Sequence, residues 1–343
     1  MSDAPRSRPT DETGVLVDDA ASNRPGVGTG DTSIPPSAPG RDSELPRTTE
    51  NLRQASLWSD AWRQLRRNKL FLIAGSLLLI LTVMSIVPQL FTSIARPEDG
   101  GCANALANSR KGPGTNGAWF GYDTFGCDYY SQVIYGARVS MIIGLVVVGG
   151  SMIIGVTLGA LAGYFGGWFD TVIARITDVL YGLPIILGAI LLLQFLAQAR
   201  GERGLAEVSI ALIALGWLTF MRLFRSSVIS IKETDYVSAA RAMGASNSRI
   251  ILKHIVPNGL APVLVYGTIS VGGIIAAEAT LSFLGIGLQQ PAISWGLQIN
   301  SAQNFIRSSP HLLFFPSIFL SVTVLSFILL GDALRDALDP KLR

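Results

Sequence analysis

Reactive and metal-binding side chains are scarce in this sequence. Its 343 residues include two histidines and two cysteines, too few for a zinc or iron–sulfur site of the usual kind. There is no G-x-x-x-x-G-K-[ST] phosphate loop, so the chain is expected neither to bind nor to split ATP. HExxH and G-x-S-x-G are absent too. His254 and His311 flank apolar runs without the serine or metal-ligand partners that a membrane protease needs. These absences argue against an enzyme and against a cofactor bound by this chain. Charge is also sparse. Only 15% of residues are charged, the net charge is +3, and 49% are hydrophobic. With a mean hydropathy of +0.42, this is the composition of a membrane protein. The one early basic cluster, Arg63 to Lys69, is short and abuts an apolar run, which argues against nucleic acid.

What is present is a series of long apolar runs. They predict an all-α polytopic membrane protein with six transmembrane helices, near 70–94, 133–163, 173–197, 205–224, 260–283 and 312–330. Pro184 falls inside the third. Residues 1–52, rich in Pro, Gly, Ser, Thr and Asp, read as a disordered tail. Residues 53–69 read as an interfacial amphipathic helix, with Trp58, Trp62 and Leu65 interleaved with basic residues. Residues 70–335 form the six-span domain, and 336–343 are a short C-terminal tail. The first apolar run starts too late and runs too long for a secretory signal, so it reads as a retained span. Gly155, Gly159 and Gly163 recur every fourth residue and predict a face where another helix comes close.

Six crossings put both ends on one side. Fourteen Lys and Arg flank the side that holds the ends and the 226–258 loop, against seven on the other. The positive-inside rule makes the first side cytoplasmic, in a cell membrane. The loop at about 95–132 is then extracytoplasmic, and there Cys102 and Cys127 can pair; two free thiols are the alternative. Asp178 and Glu278 fall in or beside apolar runs, where a bare charge is costly. Both are candidates for lining a path or its gate. A salt bridge to Arg175 is the alternative for Asp178, and an interhelical hydrogen bond at a subunit interface is the alternative for Glu278.

The stretch Glu233 to Asn258, ETDYVSAARAMGASNSRIILKHIVPN, is long and polar for a chain of this kind. Good helix formers fill Val237 to Met243, Gly244 suits a left-handed cap, and Ser246 suits a second helix start. Pro257 is expected to break the pattern before the next span. The result is a helix, a bend and a helix.

Ser238, Ala239, Ala240 and Gly244, followed by His254, Ile255, Val256, Pro257 and Asn258, resemble the EAA loop of ABC importer permeases in the peptide and nickel branch. Ser238 stands where that family usually has Glu, and Val256 where it has Leu. GYFGGWFD (163–170), AEATLSFLG (277–285), PAISWG (291–296) and the terminal GDALRDALDPKLR are similar to strings of the same branch. The likeness runs from about Ala61 to Arg343 and is to the second permease type. It implies a coupling helix, Tyr236, Val237, Ser238, Ala239, Ala240, Arg241, Ala242, Met243, Gly244 and Ala245, seated in an ATPase subunit. It further implies a second homologous permease, two ATPase subunits carrying ATP and Mg, and an extracytoplasmic substrate-binding protein. The cargo implied is di- or oligopeptide; a nickel chelate or another small solute on the same scaffold is the alternative. A secondary transporter would show inverted repeats, which are not evident, and a plain membrane scaffold would leave the polar loop unexplained.

Overall fold

A computed structural model describes residues 62–94, 102, 106–200 and 204–338. The tail expected over 1–52 lies outside the described residues. Of the interfacial helix expected over 53–69, residues 62–65 are helical. There Leu65 is buried with Ala333 and Ala337 near the chain's other end, and the Arg66 guanidinium stacks 4.9 Å from the Trp62 ring centre.

The fold is all-α. Helix α1 spans Lys69–Ile86, started by Asn68, whose side chain accepts from the amides of Leu70 and Phe71. It ends eight residues before the apolar run does, because Pro88 forces Val87 out of helical geometry (φ −124°, ψ 69°). Helix α2, Tyr129–Phe165, has 37 residues and is about 55 Å long, well beyond a hydrocarbon core of roughly 30 Å. Asp128 caps it by accepting from the Ser131 amide. Gly166 and Gly167, both at positive φ, stop it.

The third expected span, 173–197, is not one helix. It is α3, Gly167–Tyr181, and α4, Ile185–Arg200, bent by 94° at the break. Gly182 and Pro184 sit at that break, and a proline there removes an amide and crowds the preceding turn. Helix α5 spans Leu205–Ile231, α6 Asp235–Ala242 and α7 Asn247–Ile250. A π-helical turn, Ile251–Ile255, leads into α8, Val256–Phe283. Pro257 therefore does not break the helix as expected. It lies in the first turn of α8, where its missing amide costs least, and the wider π turn accommodates its ring. Helix α9, Trp295–Ala302, lies between α8 and α10, His311–Leu338.

Among the described residues, five helical stretches are long and apolar enough to cross a membrane: α1, α2, α5, Asn247–Phe283 and α10. The bent pair supplies a sixth crossing, and packing shows why. A Cβ on Gly155 would collide with Phe220 of α5, one on Gly159 with Met221 and Arg225, and one on Gly163 with Val228. Contacts that advance together mean that α2 and α5 run parallel. The chain leaves α2 at one face and enters α5 at the other, so α3 and α4 must carry it back across. The same glycines permit close backbone approach of α2 and α5. Contacts between α8 and α10 instead run in opposite order: Gly272 meets Val324 and Phe327, and Gly331 meets Ile269. The described ends and the α6–α7 loop thus share one face, called inner below.

Candidate functional site: an inner loop, a buried carboxylate and an outer cavity

The inner loop has the expected form. Thr234 opens α6 in extended conformation, and α6 ends at Gly244, φ 80°. There the Gly244 amide donates to Arg241 O and the Ala245 amide to Ala240 O, a glycine-ended cap that no L side chain adopts cheaply. Ser246 then caps α7 by accepting from the Arg249 amide. Val237 and Ala240 are buried against the chain's own body, together with Ile250 and Ile255. Tyr236, Ser238, Ala239, Arg241, Ala242 and Met243 face out, and Ala245 is half-buried. Met243 is 81% exposed, an unusual placement for a large apolar side chain. Of the residues in the implied coupling helix, Val237 and Ala240 thus seat the loop on its own subunit.

The two spanning acids differ sharply. Asp178 on α3 is half-exposed and paired: Arg222 Nη2 lies 2.6 Å from one oxygen and Arg175 Nη1 3.6 Å from the other. The Arg222 guanidinium also stacks 4.1 Å from the Tyr181 ring centre. Arg175 was legible as a partner from its spacing of three. Arg222 was not, being 44 residues away. The same holds for the bidentate pair of Arg225 with Asp170.

Glu278 lines no open path in this subunit. It is fully buried, and its Oε1 accepts from the Ser282 hydroxyl at 2.8 Å and the Ser294 hydroxyl at 3.0 Å. Ser294 in turn caps α9, accepting from the Leu297 amide. Ser282 accepts from the Leu288 amide. The carboxylate therefore pins the 284–294 loop and the start of α9 to α8. Complete burial within one chain also removes it from a subunit interface.

On the outer face, Cys102 and Cys127 are joined by a disulfide. Asp123 organises the turn beside it, accepting from the amides of Phe125 and Cys127 and from Gln132 Nε2. Burial pushes the Asp123 carboxyl above its usual range, against the pull of those hydrogen bonds. A cavity of about 590 Å³ opens here, lined by Asp123, Phe125, Tyr129, Pro291, Leu297 and Gln298 among others. Neither Asp123 nor Gln298 was singled out from sequence. Among the described residues, no cluster of His, Cys, Asp and Glu is arranged to hold a metal ion.

Comparison with known proteins agrees with this architecture. Residues 155–343 match the family model for the binding-protein-dependent transport system inner membrane component. Residues 56–100 match the N-terminal transmembrane domain of oligopeptide transport permease C. The dipeptide transport system permease protein DppC of Alkalihalophilus pseudofirmus is 39% identical over 288 residues, covering 84% of this chain and 91% of that relative. DppC of Bacillus subtilis is 38% identical over 307 residues, 88% and 92% of the two chains. The glutathione transport system permease protein GsiD of Pectobacterium atrosepticum is 37% identical over 287 residues, 83% and 92%. Among solved structures, an inward-facing MetNI methionine ABC transporter chain superposes with a TM-score of 0.51 at 20% identity, over 60% of this chain and 96% of that one, a likeness of fold alone. The chain belongs to the binding-protein-dependent transport system inner membrane components, as a multi-pass permease subunit of the peptide-type ABC importer branch.

Proposed function

We propose that this permease forms, with a second homologous permease, the translocation path for di- or oligopeptides delivered by an extracytoplasmic binding protein. In this reading the outward face of residues 236–245 docks into a cytoplasmic ATPase subunit, one of two, and receives its motion. The observation that carries it is the exposed side of α6. A short glycine-ended helix presents Tyr236, Ala239, Ala242 and Met243 outward from the inner face. A contiguous apolar and small-residue surface of this kind marks a protein contact. Charge bias supports placing this face, and both ends of the chain, in the cytoplasm. The names of the relatives, dipeptide, oligopeptide and glutathione permeases, support peptide as the cargo class.

The test is co-purification with the partner subunits, followed by uptake in proteoliposomes. ATPase subunits are expected to co-purify with the wild-type chain and to be lost from Ala239→Trp, whose indole would stand between the surfaces. Retention of the subunits by that variant refutes the docking face. Uptake is expected for di- and oligopeptides and not for a nickel chelate. The reverse pattern refutes the cargo class and leaves the docking face standing.

A further inference from the structure

The inner end of α2 is gripped by the loop at three places. Lys232, just before α6, donates from Nζ to the Gly163 carbonyl at 3.2 Å. Arg241, in the last turn of α6, holds its guanidinium 6.0 Å from the centre of the Tyr164 ring. The Tyr164 hydroxyl donates to Oδ1 of Asn247, the first residue of α7, at 2.8 Å. Residues before α6, at its end and after the Gly244 bend therefore converge on two consecutive residues of α2. Gly163 is itself pressed against the Arg225 carbonyl and the Val228 side chain of α5. Because Gly166 and Gly167 end α2 one residue beyond Tyr164, the tyrosine stands in a final turn that faces the loop.

The far end of α2 is gripped as well. Trp295 Nε1 donates to Val133 O at 3.0 Å, and Gln298 Nε2 donates to Gln132 O at 2.8 Å. Both donors belong to α9, and both acceptors lie in the first two turns of α2. Between the two grips α2 is one unbroken helix. Residues spread along it, from Tyr129 and Val133 to Val148 and Ala160, share an apolar core with Val237 and Ile250 of the loop and Trp295 of α9. A helix packed along its length and held at each end moves as a body.

We propose that Tyr164 is a positioning residue that passes movement of the α6–α7 loop into α2, and that α2 delivers it to α9 at the outer face. This rests on reading residues 236–245 as the ATPase docking surface. No sequence signal pointed to Tyr164 beyond its place in GYFGGWFD, because its partners are 77 to 83 positions away.

The experiment uses the full complex with its ATPase and binding-protein partners in proteoliposomes, reading subunit retention, ATP hydrolysis and uptake together. Tyr164→Phe keeps the ring and deletes the hydroxyl; Asn247→Ala deletes the acceptor. Each is expected to retain the ATPase subunits and to lower uptake per ATP about three- to tenfold, the scale of one hydrogen bond. The double variant is expected to match the singles, because both remove one interaction. Wild-type uptake per ATP in both singles overturns the proposal. So do additive losses, or losses that track departure of the ATPase subunits. Met243→Asp, on the outward face of the loop, separates the two readings. If it leaves the ATPase subunits bound, the docking surface is wrong. If it releases them while Tyr164→Phe couples normally, only the route through α2 is wrong.

Discussion

Trimming Glu278 to alanine and converting it to glutamine have different expected consequences. Oε1 alone carries both hydroxyl contacts, while Oε2 has no hydrogen-bond partner. Glutamine keeps an acceptor where Ser282 and Ser294 donate, so Glu278→Gln is expected to hold α9 in place and to keep uptake within about twofold of wild type. Alanine removes the acceptor and leaves a void, so Glu278→Ala is expected to lower thermal stability by about 2–4 kcal/mol. Melting of the purified subunit and uptake by the complex check both. A large loss of uptake in the glutamine variant, with melting unchanged, would restore a charge-based role. The sequence alone marked Glu278 as costly in lipid and so as functional. What it could not show is that two serines, 4 and 16 positions later, fold back onto the same oxygen.

At the scale of elements, periodicity carries most of the information. The Gly155, Gly159, Gly163 stripe was legible as a close-contact face, and α5 fills it. Gly149, on the same helix, faces open space. Gly149→Ala is therefore expected to be neutral or to gain up to about 1 kcal/mol from helix propensity. Gly159→Ala must push α5 away at Met221 and Arg225 and is expected to cost about 1–3 kcal/mol. Thermal melting of the two variants in the same lipid decides this, and equal melting points would mean that α2 and α5 are not in contact there. The elements that were misread were those where a proline sits inside or at the start of an apolar run. A hydropathy run cannot distinguish a straight span from one bent by 94° at Gly182 and Pro184. Nor does Pro257 by itself reveal that a π turn upstream lets the helix pass through it. The α6, Gly244, α7 sequence was readable because caps are local, whereas the burial of Ala240 depends on α6 resting on the chain's own core.

For the whole molecule, topology follows from two independent lines. Parallel packing of α2 and α5 requires the bent pair to return the chain, which gives six crossings and places both described ends with the α6–α7 loop. In the proposed reading, charge bias puts that face in the cytoplasm. Two positions test the assignment directly, because the native cysteines are joined to each other and give no free thiol background. Met243 is 81% exposed at the tip of the inner loop, and Ile306 is 52% exposed in the segment between α9 and α10. With a membrane-impermeant maleimide on intact cells, Ile306→Cys is expected to label and Met243→Cys to label only after permeabilisation. Label at Met243→Cys but not at Ile306→Cys in intact cells would invert the assignment, and with it overturn the docking of any ATP-driven subunit on α6. Label at both positions in intact cells would mean that the chain crosses the membrane an even number of times between residues 243 and 306. That outcome would remove α8 as a span, although its 28 residues reach about 42 Å. The two positions therefore test side and crossing number at once, and only label at Ile306→Cys without label at Met243→Cys in intact cells agrees with the proposed docking of an ATPase subunit on α6.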